Sequence, residues 1–144
     1  MHETVGDIWA FAGCGIIAIT TNGSLTRDGR AIFGRGVARQ AAERFTCLAE
    51  KTGTLLAQQG NHVLDLGNGL VTFPVEETPW SLPDLRIIRR SAAELRHLAD
   101  LTGWKLIVVP RPGCGGGGLA WHEVRPLLLP LFDGRFLIVS QESG

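Results

Sequence analysis

Residues 110–121 read PRPGCGGGGLAW, and this stretch decides the fold. Five of the six residues at 113–118 are glycine. They follow the β-branched run WKLIVV at 104–109 and precede a segment of helical composition. Because glycine leaves backbone N–H groups unshielded and a helix begins with a positive dipole end, this order indicates a phosphate site that needs no lysine. A flexible surface loop is the alternative, but ordering so many glycines costs entropy, which favours use by a ligand.

A second glycine loop lies earlier, in GRAIFGRGVA at residues 29–38. Its G-R-G precedes a long helical segment, although a plain helix-entry turn would also explain a lone G-x-G. Neither loop contains the G-K-[ST] of a P-loop, and no G-x-G-x-x-G with a downstream acidic residue indicates a Rossmann site. Since open α/β sheets bind ligands outside the carboxyl ends of their strands, two such loops at two strand ends could face one diphosphate.

The rest of the chain alternates strand and helix signals. The predicted elements are a strand at 15–21, an amphipathic helix at 37–52 that stops at Gly53, a hairpin of 62–66 and 70–75 around 67–69, a helix from Pro83 or Asp84 to Gly103, a strand at 104–109, a helix at 121–132 that Pro126 and Pro130 kink or shorten, and a strand at 135–140. This alternation predicts an α/β fold, a three-layer α/β/α sandwich with a mixed central sheet.

Length and composition narrow the class of protein. The 144 residues fit one domain, 1–144, and the 14 basic and 14 acidic residues cancel, so strong direct nucleic-acid binding is not expected. Three cysteines without C-x-x-C spacing favour neither a disulfide framework nor a zinc site, and we expect no metal and no cofactor. Without a long apolar run or a signal-peptide pattern, we expect no membrane association and a cytoplasmic location.

Four pieces of the sequence together resemble the macro domain family. They are Gly6-Asp7-Ile8, Asn22 after the strand GIIAITT, FGRGVA at 33–38, and PRPGCGGGGLAW, which is close to the family's G-C-G-x-x-G-L-x-W pattern. The resemblance covers nearly the whole chain in the expected order. It implies a macro-domain-like fold and a site for ADP-ribose.

The resemblance also implies roles for the matching residues. Asp7 would accept a hydrogen bond from the adenine amino group, Ile8 would back the base, and Asn22 would lie near the distal ribose. The two loops would clasp the diphosphate and distal ribose, through Gly34, Gly36 and Val37 on one side and Gly113, Cys114, Gly115, Gly116, Gly117 and Gly118 on the other. As a plainer alternative, Asp7 is a turn residue.

Asn22 and Asp28 are the candidate catalytic residues. Asp28 leads into the first glycine loop and is the best-placed carboxylate for acid–base work, although Asp-Gly is also typical of a simple turn. Asn22 could orient a water molecule, or it could cap the turn after its strand. Cys114 and His122 could form a thiolate–imidazole pair, but a free cysteine is often a packing residue, and the resemblance makes Cys114 a member of the loop.

Three functions remain open on the sequence. The chain could be a reader that binds ADP-ribose, free or attached to a macromolecule, without catalysis. It could be an enzyme, either an ADP-ribosyl hydrolase (glycohydrolase) or an ADP-ribose phosphate phosphatase, whose loops strain the distal ribose. A scaffold whose glycine loops contact protein is the third. The expected partner is ADP-ribose or an ADP-ribosylated macromolecule.

Overall fold

A six-stranded mixed sheet forms the centre of the computed structural model, which describes residues 1–141. Its strands are β1 (His2–Val5), β2 (Ile16–Thr21), β3 (Asp65–Gly67), β4 (Leu70–Pro74), β5 (Ile107–Pro110) and β6 (Phe136–Ser140), in the order β1-β6-β5-β2-β4-β3. Every neighbouring pair is parallel except β3 and β4, which form an antiparallel hairpin. The prediction of a mixed sheet is confirmed.

Helices cover both faces of this sheet. They are α1 (Gly36–Arg44), α2 (Leu48–Gln59), α3 (Leu85–Thr102) and α4 (Trp121–Leu128). Side chains of a strand alternate between faces, so Ala18 belongs to the core under α3 and α4, while Ile17 and Ile19 belong to the core under α1 and α2. The predicted three-layer α/β/α sandwich is confirmed. Among residues 1–141, no helix has both the length and the apolar composition to cross a bilayer.

The parallel strands place the glycine loops at one edge of the sheet. Residue Thr21 at the end of β2 pairs with Pro74 at the end of β4, and β5 lies on the other side of β2. The first glycine loop follows β2 along the chain and the second follows β5 directly. Because the carboxyl ends of parallel strands meet at the same edge, both loops lie there as predicted.

The predicted helix at 37–52 is wrong in its extent. Two helices occupy the region, and the chain breaks between them at Cys47, whose φ of +63° is left-handed. Instead of stopping at Gly53, α2 continues to Gln59 and ends at Gly60, which has a φ of +85°. Gly53 lies inside the helix, where α2 packs directly on the backbone of Gly29. The position is glycine because a Cβ there would lie 2.0 Å from the carbonyl oxygen of Gly29.

The hairpin strand predicted at 62–66 is wrong in its bounds, since β3 covers Asp65–Gly67, but most other elements lie close to their predicted positions. Helix α3 is capped by the Asp84 side chain, which accepts a hydrogen bond from Arg86 N at 2.8 Å, and it ends before Gly103. Helix α4 ends at Leu128 and not at 132, since the chain turns ahead of Pro130. The strand predicted at 104–109 starts only at Ile107. Strand β1, which precedes the first predicted element, is an exposed edge strand.

We expect Gly53→Ala to lower the free energy of unfolding by at least about 2 kcal/mol, because the new methyl group must push α2 away from the Gly29 backbone. Thermal and chemical denaturation will measure the change. Thr54→Ala, at the next and exposed position of the same helix, is the control and should stay within about 0.5 kcal/mol of wild type. Equal stability of the two variants would show that α2 does not pack this closely.

Candidate functional site

A cleft of about 1000 Å³ opens at the carboxyl edge of the sheet, between the two glycine loops. Eleven of the predicted ligand-binding residues line it: Asp7, Ile8, Asn22, Gly34, Gly36, Val37, Gly113, Cys114, Gly115, Gly116 and Gly117. Gly118 does not line it, and its N–H instead donates to the carbonyl of Gly115 at 3.4 Å. The structure thus brings residues from both ends of the chain to one cavity.

The two loops supply backbone N–H groups that are free to bind a ligand. In the described part of the chain, the amides of Gly115, Gly116 and Gly117 donate no hydrogen bond. On the other loop, the helical hydrogen bonds of α1 begin at Arg39 N. Within residues 1–141, the N–H groups at 36–38 therefore have no backbone acceptor, and no side chain caps this helix. Both sets lie on residues that line the cleft, and such groups attract an anion.

Close packing explains why particular loop positions are glycine. Gly113 has a φ of +74°, and a Cβ there would lie 2.8 Å from the Leu119 side chain. A Cβ on Gly117 would lie 2.6 Å from Pro83 Cγ and 2.7 Å from the carbonyl oxygen of Gly113. At Gly116, by contrast, a Cβ would meet only the Arg35 side chain, no nearer than 3.6 Å. The fold therefore requires glycine at 113 and 117, whereas Gly116 leaves room in the cleft.

Asp7 and Ile8 lie at the β1 end of the cleft. The Asp7 carboxylate accepts a hydrogen bond from Trp9 N at 3.0 Å and so caps a short 3₁₀ helix, Ile8–Phe11. The turn role that the sequence left open for Asp7 is therefore present together with its position on the cleft wall. Ile8 is buried and offers an apolar surface beside it.

The side chain of Asn22 is committed to holding the first loop in place. Its Nδ2 donates to the carbonyl of Ile32 at 3.1 Å, and its Oδ1 accepts from Ser24 N at 3.0 Å. Asn22 is also buried and lines the cleft. The capping role is thus observed, and the amide keeps one N–H that these bonds do not use.

Asp28 lies outside the cleft, on an exposed turn. Its carboxylate accepts a hydrogen bond from the Thr26 hydroxyl and pairs with Arg30 Nε at 3.1 Å. The Thr26 hydrogen bond, followed by the Arg30 contact, lowers the pKa of Asp28 below its usual value. A solvent-exposed carboxylate with these partners has the Asp-Gly turn geometry, so its predicted catalytic role has no support in the structure.

Three charged side chains of the cleft were missed by the sequence analysis, which assigned anion binding to glycine loops alone. Arg35 and Arg111 line the cleft, and the Arg111 guanidinium lies 5.0 Å from the centre of the Trp121 ring. Glu76 follows β4 and is also part of the wall. Arg35 could have been predicted as a site residue from its position inside F-G-R-G. Nothing in VEET at 75–78 distinguishes Glu76 from Glu77.

Glu76 is buried, with 8% of its side chain exposed, and its Oε2 atom accepts no hydrogen bond from the described residues. Arg35 Nη2 lies 3.8 Å from this oxygen, too far for a hydrogen bond, while Arg35 Nη1 donates to the Gly116 carbonyl at 3.5 Å. Burial raises the pKa of Glu76, and the nearby Arg35 charge opposes the rise only in part. The cleft therefore contains one acidic group that lacks a close partner.

The thiol of Cys114 is not activated. Its burial raises the pKa of the thiol, with the negative charge of Glu123 acting the same way and the positive charge of Arg111 opposing it. Cys114 Sγ donates to the Pro112 carbonyl at 3.5 Å. Because a nucleophilic cysteine needs a lowered pKa, this environment favours the packing role over the thiolate–imidazole pair with His122.

No family model matches this sequence, and no curated protein matches it either. Solved structures do match across the chain. The macrodomain of Mycobacterium tuberculosis DarG has a TM-score of 0.81 at 21% identity, and the macrodomain of Thermus aquaticus DarG has 0.77 at 20%; both alignments cover 98% of this chain and 97% of the other. Thermosipho africanus DarTG, solved in complex with ADP-ribose, has a TM-score of 0.74 at 18% identity. This alignment covers 96% of this chain and 41% of the DarTG chain.

The alignments with the two DarG macrodomains cover 98% of this chain, so they include the sheet and both helical layers. The chain therefore has the macrodomain fold.

Proposed function

We propose that the cleft binds ADP-ribose, free or attached to a macromolecule, with the diphosphate between the two glycine loops. The observation that carries this proposal is a set of backbone N–H groups, at 36–38 and 115–117, for which the described part of the chain supplies no acceptor, on loops that face the same cavity. The ADP-ribose in the Thermosipho africanus DarTG structure, which shares the fold, supports the choice of ligand.

The charge of the cleft also supports an anionic ligand. The chain as a whole has no net charge, so attraction must come from local groups. The amide dipoles of two loops, the free start of α1, and the Arg35 and Arg111 guanidinium groups supply it. Asp7 and Ile8 would hold the adenine at the β1 end, as the sequence resemblance implies, and the diphosphate would then lie between the loops.

Isothermal titration calorimetry with ADP-ribose, ADP and AMP is the direct test. We expect ADP-ribose to bind at least about tenfold more tightly than AMP, because only the diphosphate ligands reach both sets of loop amides. ADP should lie between them. Absence of binding heat with ADP-ribose, confirmed by a second method such as a thermal shift, would refute the proposed function.

Gly116→Val should weaken ADP-ribose binding about tenfold or more without unfolding the protein. The φ of Gly116 is not left-handed, and a Cβ has ordinary contact distance there, so the fold tolerates a side chain that fills the space between the loops. Calorimetry gives the affinity, and a thermal melt checks the fold. The control is Gly134→Val, outside the cleft, where a Cβ would lie 3.8 Å from its nearest neighbour, His2. Unchanged affinity in Gly116→Val would place the anion elsewhere.

Variants of the two predicted catalytic residues should differ in their affinity for ADP-ribose in the same calorimetric assay. Asn22→Ala removes the hydrogen bonds to Ile32 and Ser24 that fix the first loop, so we expect about a tenfold loss of ADP-ribose affinity. Asp28→Ala alters only an exposed turn, and its affinity should stay within about twofold of wild type. A large loss in Asp28→Ala would contradict the placement of this residue outside the site.

Hydrolysis of an ADP-ribosyl linkage and removal of a phosphate from ADP-ribose phosphate stay predictions. Neither activity is supported by the two predicted catalytic residues, since the Asn22 side chain holds the first glycine loop and Asp28 lies outside the cleft. Release of free ADP-ribose from an ADP-ribosylated protein or nucleic acid, or of inorganic phosphate from ADP-ribose phosphate, would show them. The single-domain organisation, the cytoplasmic location and the ADP-ribosylated macromolecule as partner are predictions of the same kind.

A further inference from the structure

Glu76 stands two residues beyond the end of β4, on the wall of the cleft. Its backbone is fixed, because the Glu76 carbonyl accepts a hydrogen bond from Asn61 Nδ2 at 3.1 Å and Val75 N donates to the Thr21 carbonyl at 3.0 Å. More than nine-tenths of the side chain is buried, and yet Oε2 accepts no hydrogen bond from the described residues. The backbone is thus held in place, while Oε2 has no hydrogen-bond donor among the described residues.

A buried carboxylate without hydrogen bonds is costly, and in a cleft built for an anion it is more so. Arg35 relieves part of this cost, but its Nη2 lies 3.8 Å from Oε2 and 56% of its side chain is exposed. Oε2 is closed to solvent, so a ligand in the cleft would donate its hydrogen bonds to Oε1, the oxygen that is not fully buried, and would thereby stabilise the charge of the whole carboxylate. The ligand group that fits is a hydroxyl or an amine, and a phosphate is excluded because it carries the same charge.

The order of the strands tells which part of the ligand lies near Glu76. Asp7 follows β1, the glycine loops follow β5 and β2, and Glu76 follows β4. At about 4.8 Å between neighbouring strands, β1 and β4 are roughly 19 Å apart, with the loops between them. A ligand with its base at Asp7 and its diphosphate between the loops therefore extends its far end toward Glu76.

We propose that Glu76 is a specificity-determining residue, whose carboxylate accepts hydrogen bonds from hydroxyl groups of the sugar beyond the diphosphate. This inference rests on the proposed function of the cleft. The accessible oxygen, Oε1, has two lone pairs and can accept from two neighbouring hydroxyls, as a ribose presents them. Ligands that end at the diphosphate leave Glu76 without a donor, so the residue selects for the additional sugar.

Four affinities test the proposal: ADP-ribose and ADP, each with wild type and with Glu76→Gln. The ratio of the two affinities cancels the contribution of the shared ADP part. Because ADP carries an additional negative charge on its terminal phosphate, the inference also requires that the ADP-ribose affinity itself falls, and a lower ratio that comes only from tighter ADP binding overturns it. We expect this ratio to fall about tenfold or more in Glu76→Gln, because a hydrogen bond to a charged acceptor is replaced by a weaker one to an amide. Glu76→Ala should reduce the ratio at least as much.

The matched control is Glu77→Gln, which makes the same change of charge at the neighbouring, exposed position outside the cleft wall. It should keep the wild-type ratio. Retained ADP binding shows that a Glu76 variant is folded. If wild type prefers ADP-ribose and both Glu76 variants keep that preference within about twofold, the inference is overturned while the proposed function stands. If wild type binds no ADP-ribose, both are overturned.

Discussion

The parallel pairing of β2 with β4 on one side and with β5 on the other is the constraint on which the site depends. It places three strand ends at one edge of the sheet, each followed by a segment of different chemistry. An antiparallel β5 would have moved residues 113–118 to the opposite edge. Segments about eighty positions apart in sequence meet only because of this pairing, as the hydrogen bond from Arg35 to the Gly116 carbonyl shows.

The proposed anion site does not depend on the net charge of the chain, which is zero. Unpaired backbone amides supply partial positive charge at fixed positions, and they cannot move away as long side chains can. Such preorganisation requires close contacts around the loop, which Gly113 and Gly117 permit by lacking a side chain. Gly116 has no such constraint. The missing side chain at Gly116 leaves open space in the cleft, so we expect a substitution there to affect ligand binding more than folding.

The sequence predicted what local chemistry determines. Asp84 and Gly103 bound α3 because a cap and a C-terminal glycine act within one turn, and the glycine loops are visible by composition alone. The break at Cys47 was not predictable, since a left-handed backbone is typical of glycine or asparagine and no such residue marks this position. Gly53 was wrongly predicted to end a helix. Glycine is needed there because α2 approaches Gly29 closely, and a contact between segments distant in sequence cannot be predicted from the local sequence.

Charged residues of the cleft were the hardest to predict, because their role depends on what lies opposite. Glu76 and Glu77 are identical in sequence terms, but one is buried in the cleft and the other is exposed. Arg35 touches the Gly116 carbonyl and approaches Glu76, so it couples the two loops to the end of β4. A phosphate between the loops would compete for this guanidinium. Glu76 would then lose its nearby positive charge as the diphosphate binds, and its need for donors from the ligand would rise at that moment. In the proposed complex, binding of the diphosphate would therefore strengthen the interaction of Glu76 with the group beyond it.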